Sequence, residues 1–151
     1  MKYGGWRVLA ELLGQRMATL VPPLEGAPLV VPVPTTPRRR RVRGYNQARL
    51  LAEVVACRRR LSLLDALERP EGRTQVHLTP RNRAENVRGA FRLNQRIRSR
   101  ILGREVILVD DVLTTAATAV SAAQVLEEGG VTGVHLLTFA RALPFSERGG
   151  S

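Results

Sequence analysis

Cysteine is almost missing from this chain of 151 residues. Cys57 stands alone, so no internal disulfide and no cysteine-rich zinc site can be assembled. Histidine occurs only at His77 and His135, and neither has the partner spacing of a metal site or a catalytic triad. Aromatic residues make up 4%, too few for the stacking platforms common among single-strand nucleic-acid binders. No apolar run approaches the roughly 18 residues of a membrane span. Met1-Lys2-Tyr3-Gly4-Gly5 opens without the apolar centre of a signal peptide. These absences point to a soluble, cytoplasmic protein that does not insert into a membrane.

What is abundant is arginine, unevenly placed. Residues 38–60 hold nine arginines against Glu53, and residues 69–104 hold ten against Glu71 and Glu85; from residue 105 onward six acids outnumber two arginines. The formal net charge is +11. Such a surface draws polyanions, whether nucleic acid, diphosphate or a membrane surface, at long range and low salt. Only one of the 24 basic residues is lysine, and coding bias or selection for heat is the plainer account of that preference.

The length fits one domain, which buries about two-thirds of its unfolded surface. We read residues 1–143 as that domain and the polar, glycine-rich residues 144–151 as a loose tail. Trp6, Leu9, Leu13, Met17 and Leu20 recur at helical steps and predict an amphipathic helix over residues 4–20, ended by Pro22-Pro23. The apolar run Leu29 to Pro34, interrupted by Pro32, reads as a strand with an extended exit. A loop is expected through Thr35-Thr36-Pro37 and Arg38 to Arg41. Arg43 to Gln47 then lead into a helix running to about Arg59, with Leu50, Leu51, Val54 and Val55 as its stripe and Cys57 as a buried or half-buried thiol. Ala90 to Leu93 reads as a short strand, Gln95 to Gly103 as a solvated connection, and Gly133 to Ala140 as a last strand holding His135.

The richest stretch is residues 106–118. Val106 to Val109 is a short β-branched run suited to a parallel strand covered on both faces. Asp110 and Asp111 stand where that strand should end. Three threonines and three small residues then lead into an alanine-rich helix from Ala116 to Leu126, with apolar residues at 119, 120, 123 and 126. A strand, a hydroxyl-rich turn and a helix start make an anion site, because free N–H groups and the positive end of the helix dipole face outward. Adjacent carboxylates repel, and burial makes their joint ionisation costly unless hydroxyl donors or a metal engage them. A sugar-phosphate satisfies both ends, with hydroxyls on the acids and phosphate on the turn.

This stretch resembles the ribose-phosphate loop of type I phosphoribosyltransferases. It departs from the pattern at Ala116, where that family usually has glycine; were φ positive there, alanine would be strained by about 1 kcal/mol or more. Arg43-Gly44-Tyr45-Asn46-Gln47, following Val-Pro-Val-Pro, is similar to the ComF type of phosphoribosyltransferase-like protein, a bacterial family linked to DNA uptake during competence. Arg73-Thr74-Gln75, Leu78, Arg83, Asn86, Val87 and Gly89-Ala90-Phe91 fall at that family's spacing, as does Lys2-Tyr3-x-Gly. The resemblance covers residues 1 to about 143 and leaves out the cysteine-rich zinc module that many of its members carry.

The resemblance implies an α/β fold, an open and mostly parallel sheet with flanking helices, that binds 5-phosphoribosyl 1-diphosphate with magnesium. Thr114, Thr115, Ala116, Ala117 and Thr118 would take the 5′-phosphate. Asp110 and Asp111 would engage the ribose hydroxyls as the catalytic pair. Thr35, Thr36, Pro37 and Arg38 would hold the diphosphate through backbone N–H groups and a guanidinium. Arg43, Asn46, Gln47, Gln75, Arg83 and Asn86 are candidates for further substrate contacts or a flexible loop. Magnesium is expected on the ligand's own oxygens and on water, with no direct protein ligand. The alternatives are a non-enzymatic sensor of the same sugar-phosphate or a single-stranded DNA-binding competence protein, and a salvage nucleobase phosphoribosyltransferase. A homodimer formed through hydrophobic helix faces is a further expectation.

Overall fold

Short β-branched runs with nothing polar between them make strands that are buried on both faces, and such runs form the centre of this molecule. The computed structural model describes residues 4–71, 89–113 and 116–141. Its elements begin with α1 (Gly4–Thr19), β1 (Leu29–Pro32), α2 (Pro37–Arg43), α3 (Gln47–Arg59), β2 (Ser62–Leu63) and β3 (Leu67–Glu68). They continue with β4 (Arg92–Leu93), a 3-10 turn at Gln95–Ile97, α4 (Arg98–Ile101), β5 (Glu105–Leu113), α5 (Ala116–Glu128) and β6 (Gly133–Arg141). The sheet is parallel throughout, in the order β2-β1-β5-β6, and β3 and β4 form a separate antiparallel ribbon. This is the expected α/β class. No described helix is long and apolar enough to cross a membrane.

The pleat sends alternate side chains into two cores. Val30, Ile107, Val109 and Leu137 pack under α1 and α3, while Leu29, Val31, Val106 and Leu108 pack under α5 and the ribbon. The crossover from β1 through α3 to β2 therefore covers one face, and the crossover from β5 through α5 to β6 covers the other. The two run in opposite directions along the sheet. That makes the space between the carboxyl ends of β1 and β5 a topological switch point, the position where open α/β sheets hold ligands.

Several expectations change at the level of packing. On α1 the buried residues are Ala10, Gly14, Met17 and Ala18, so only Met17 of the expected stripe is fully covered; Leu9 and Leu20 are exposed. The reason is a close helix crossing, since a Cβ added to Gly14 would stand 2.5 Å from the Cβ of Val54. Small residues, not the largest ones, face α3. On α3, Leu51 and Val55 are buried as expected, joined by Ala48, Ala52 and Ala56, and this rotation leaves Cys57 exposed, not buried.

Arg38 to Arg41 form the middle of a helix, not a loop. The Thr36 hydroxyl accepts from the Arg39 N–H at 3.3 Å, Pro37 occupies the first turn, and Gly44 at φ 81 donates its N–H to the Arg40 carbonyl. Threonine, proline and a closing glycine spell that helix, and the arginines of its last turn suit the negative end of its dipole. Ala116 opens α5 with helical backbone. Among the described residues only Arg60 is a non-glycine with positive φ, so the strain considered for Ala116 does not arise.

Pro32 costs the sheet nothing. Val33 N–H donates to the Val109 carbonyl, and the Val30 carbonyl accepts from Leu64 N–H. Even-numbered positions of β1 therefore face β2, which ends at Leu63, so Pro32, lacking an N–H, stands where that pairing gives out.

Candidate functional site

The acids lie within β5, not after it. Pairing with β1 stops at Pro32 opposite Val109, but β6 continues alongside, setting Asp110 opposite Thr138 and Val112 opposite Ala140. Beyond Val109 the strand thus has a neighbour on one side and a crevice on the other. The Thr138 hydroxyl sits 3.3 Å from the Asp111 carbonyl and 3.1 Å from the Ala140 carbonyl, which ties this extension together.

Asp110 and Asp111 share one end of a cleft of about 700 Å³. Asp111 N–H donates to Asp110 Oδ1 at 2.9 Å. The Asp110 carboxyl is pushed up to about 6, first by burial and then by the hydrogen bond and charge of Asp111; the Asp111 N–H and the Arg69 charge oppose the rise. A carboxyl so placed gains from hydroxyl donors or a nearby cation.

The opposite wall comes from the exit of β1 and the turn before α3. Asn46 caps α3, its Oδ1 accepting from Ala48 N–H at 3.1 Å, and its Nδ2 donates to the Val33 carbonyl at 3.2 Å, which pins the helix start to the end of β1. Arg43 donates to Gln47 Oε1 at 2.9 Å. Thr35, Arg43, Asn46, Gln47 and, from the first turns of α5, Thr118 all line the cleft with the acids. Ala116 and Ala117 are exposed on the first turn of that helix. Thr36 caps α2 and Pro37 opens it, while Arg38 faces away from the cleft and Arg39 lines it. Thr114, Thr115, Gln75, Arg83 and Asn86 lie outside the described residues.

The aromatic and arginine side chains that line the cleft at Trp6, Arg39, Tyr45, Arg69 and Phe139 were not nominated from the sequence as site residues. Trp6, expected on a packing stripe, stands at the cleft with its ring stacked on Tyr45, centroids 6.3 Å apart at 17°, and Phe139 joins them. Half of the six aromatic residues therefore gather beside the acids, so their scarcity in the composition concealed a local concentration. Arg39 was one of four consecutive arginines with nothing to single it out. Arg69 follows a two-residue strand and reaches the cleft only through the fold. Its guanidinium lies over the Phe91 ring, 5.2 Å from the centroid. Among the described residues no three His, Cys, Asp or Glu side chains gather to hold an ion.

No protein-family model matches the chain. It is 33% identical over 143 residues to the DNA utilization protein YhgH of Salmonella typhi, and 32% identical over 140 residues to competence protein F of Haemophilus influenzae. Each match covers 90% of this chain, but the chain spans 58% and 61% of those proteins' lengths. Among solved structures, the glutamine phosphoribosylpyrophosphate amidotransferase of B. subtilis superposes with a TM-score of 0.62 at 21% identity, covering 88% of this chain and 26% of that one. The fold is that of the type I phosphoribosyltransferases.

Proposed function

We infer that this chain, similar over 90% of its length to DNA utilization and competence F proteins and carrying the fold of the type I phosphoribosyltransferases, works as a phosphoribosyltransferase-like protein. From that premise we propose that it binds 5-phosphoribosyl 1-diphosphate with magnesium and transfers the phosphoribosyl group, releasing diphosphate. The observation that carries this reading is the pair Asp110 and Asp111, held at the switch point with one side of the strand open to a cleft lined by Thr35, Arg39, Asn46 and Arg69.

In this reading Asp110 and Asp111 accept hydrogen bonds from the ribose hydroxyls. The first turn of α5, with Thr118 and the residues Thr114 to Ala117, takes the 5′-phosphate on free N–H groups. Thr35 and Arg39 face the diphosphate, and Thr36, Pro37 and Arg38 form the start of α2 beside them. On transfer, the C1–oxygen bond breaks with its electron pair leaving on diphosphate, and a lone pair of the acceptor forms the new bond at C1. Carboxylates nearby offset the positive charge that develops on the sugar. The stacked rings of Trp6 and Tyr45 give a planar acceptor a surface to lie on.

The residues present fit a ligand-borne magnesium ion. Asp110, raised by burial and by Asp111, gains from a divalent charge beside it, and two carboxylates without a third ligand suit an ion that keeps most of its shell from phosphate oxygens and water. When bound, it supplies charge neutralisation at the departing diphosphate. Calorimetry with the sugar diphosphate and magnesium tests the reading. Binding is expected, and its absence at millimolar ligand ends the idea. Asp110→Asn combined with Asp111→Asn should abolish the heat.

A second reading makes the site a sensor and gives single-stranded DNA to the arginine-rich face. It is favoured by α2, where five arginines occupy seven positions, none buried, with Arg41 paired to Glu71. DNA affinity that falls steeply with salt supports it, and indifference to salt dismisses it.

A further inference from the structure

The two margins of the sheet differ in kind. β2 closes one with two residues, Ser62–Leu63, and β6 closes the other with nine, Gly133–Arg141. Among the described residues no strand pairs with the outer side of β6. Proteins usually blunt so long a margin with proline, lysine, a short strand or a covering segment. β6 contains neither proline nor lysine.

Hydrogen-bond phase fixes which groups are left over. The Val109 carbonyl accepts from Val33 N–H, so odd positions of β5 turn toward β1 and even ones, as far as Asp110, turn toward β6. In a parallel pair the residues standing opposite those even positions point away. Val134, Leu136 and Thr138, opposite Val106, Leu108 and Asp110, therefore present their N–H and C=O groups outward.

Large apolar side chains border these free groups. Leu136 is 39% exposed and Phe139 47%. α3 covers β1 and β5, and α1 lies beside it over β6. On α1, Glu11 reaches Arg58 of α3 at 3.2 Å and so marks the flank toward that helix. Leu9 lies about half a turn round from Glu11, on the flank over the margin, and it too is exposed.

We propose that β6 is the contact between two copies of this chain, paired antiparallel about a two-fold axis through Leu136. An axis at that residue carries the outward set onto itself. Val134 meets Thr138 of the second copy, Leu136 meets its own counterpart, and each outward N–H of the three finds a carbonyl. The same register sets Phe139 opposite Gly133 of the second copy, in one of the close pairs between hydrogen-bonded ones, where a ring covers a bare glycine. The two sheets then run on as one. A chain of net charge +11 repels its own copy, but from residue 105 onward acids outnumber arginines six to two. Approach is therefore least opposed on the side that β6 closes. A nine-residue strand is about 30 Å long, and Leu9 of each α1 adds apolar area beside it. A strand from an unrelated protein would meet none of these self-matches. The contact does not depend on the phosphoribosyl reading.

Sedimentation of the full chain over a range of concentrations tests the proposal. The wild-type chain should sediment at twice the mass of one copy at micromolar concentration. Leu136→Pro should raise the dimer dissociation constant about tenfold or more, because it removes an outward N–H and sets a ring in the partner's way while leaving the bonds to β5 intact. Leu136→Lys brings two ammonium groups together at the axis and should do the same. Leu102→Lys, at an exposed apolar residue on the segment before β5, should change nothing. Thermal unfolding at low protein concentration certifies that each variant folds. Hydrogen exchange gives a second readout: the amides of Val134, Leu136 and Thr138 should exchange more slowly as concentration rises. A wild-type chain that stays monomeric at high micromolar concentration overturns the proposal, as does a dimer indifferent to both Leu136 variants. Equal protection of these three amides in the monomer overturns it too, since another segment of the same chain then covers the margin.

Discussion

Val106, Ile107, Leu108 and Val109 are at most 1% exposed, whereas the next four residues of the same strand, Asp110 to Leu113, are half-buried or exposed. The first four are clasped between β1 and β6 and covered by helices on both faces; the second four keep β6 alone. The first half of β5 is chosen for burial and the second for what it presents. Stability and ligand chemistry are thus divided along one strand, and substitutions on either side should separate them.

The largest effect belongs to the covered half. Leu108→Ala removes a fully buried side chain and should cost about 3 kcal/mol, lowering the thermal midpoint by roughly 6 to 12 °C. Ribose 5-phosphate binding, measured below that midpoint, should change little. A large loss of affinity in the folded variant would erase the division. Gly14→Ala probes the same scaffold at a distance. Its new Cβ would meet Val54 at 2.5 Å, so α1 must move from α3 at a cost of about 1 to 3 kcal/mol. Because α1 carries Trp6, the one tryptophan, the emission spectrum should shift as well.

On the open half the sign reverses. Asp110 binds its proton more tightly in the folded chain, at about 6, than its ordinary 3.8. It therefore favours folding most below pH 3.8, and that contribution is lost as pH rises to about 6. Asp110→Asn should lack this slope and gain about 1 to 2 kcal/mol at pH 7, after discounting for the part of the carboxyl that water still reaches. The same variant should lose sugar-phosphate binding. Urea titrations at pH 4 and pH 7 check the first statement, and equal slopes in the two proteins would sink it.

Asn46→Ala touches the seam between the halves. It removes a helix cap and the tie to Val33, which should cost about 1 kcal/mol and loosen the cleft wall, raising the dissociation constant for ribose 5-phosphate. The smallest effect is expected at Glu53, whose ion pair with Arg49 is exposed. Glu53→Ala should stay within about 0.5 kcal/mol with binding intact.

Local chemistry was enough to read the strand at Val106, the acid pair, the helix of Asn46 to Arg59 and the last strand, because each rests on neighbours in sequence. The Thr36-Pro37 start and Gly44 stop of α2 were also legible, but the arginine run between them was read as charge on a loop. The large residues of α1 spell a stripe at helical spacing, but small ones, Ala10, Gly14 and Ala18, are most of what it buries.

What the sequence determined by itself is the parallel α/β framework and the nature of its centre: apolar period, helix caps and two adjacent carboxylates are properties of short stretches. Only the tertiary structure decided how far β5 runs, because β6 supplies the partner for Asp110 to Leu113. It likewise decided that Trp6, Tyr45, Arg69 and Phe139 converge on one cleft. These residues are distant in sequence, and no local preference encodes which of them will meet once two cores close on opposite faces of a sheet.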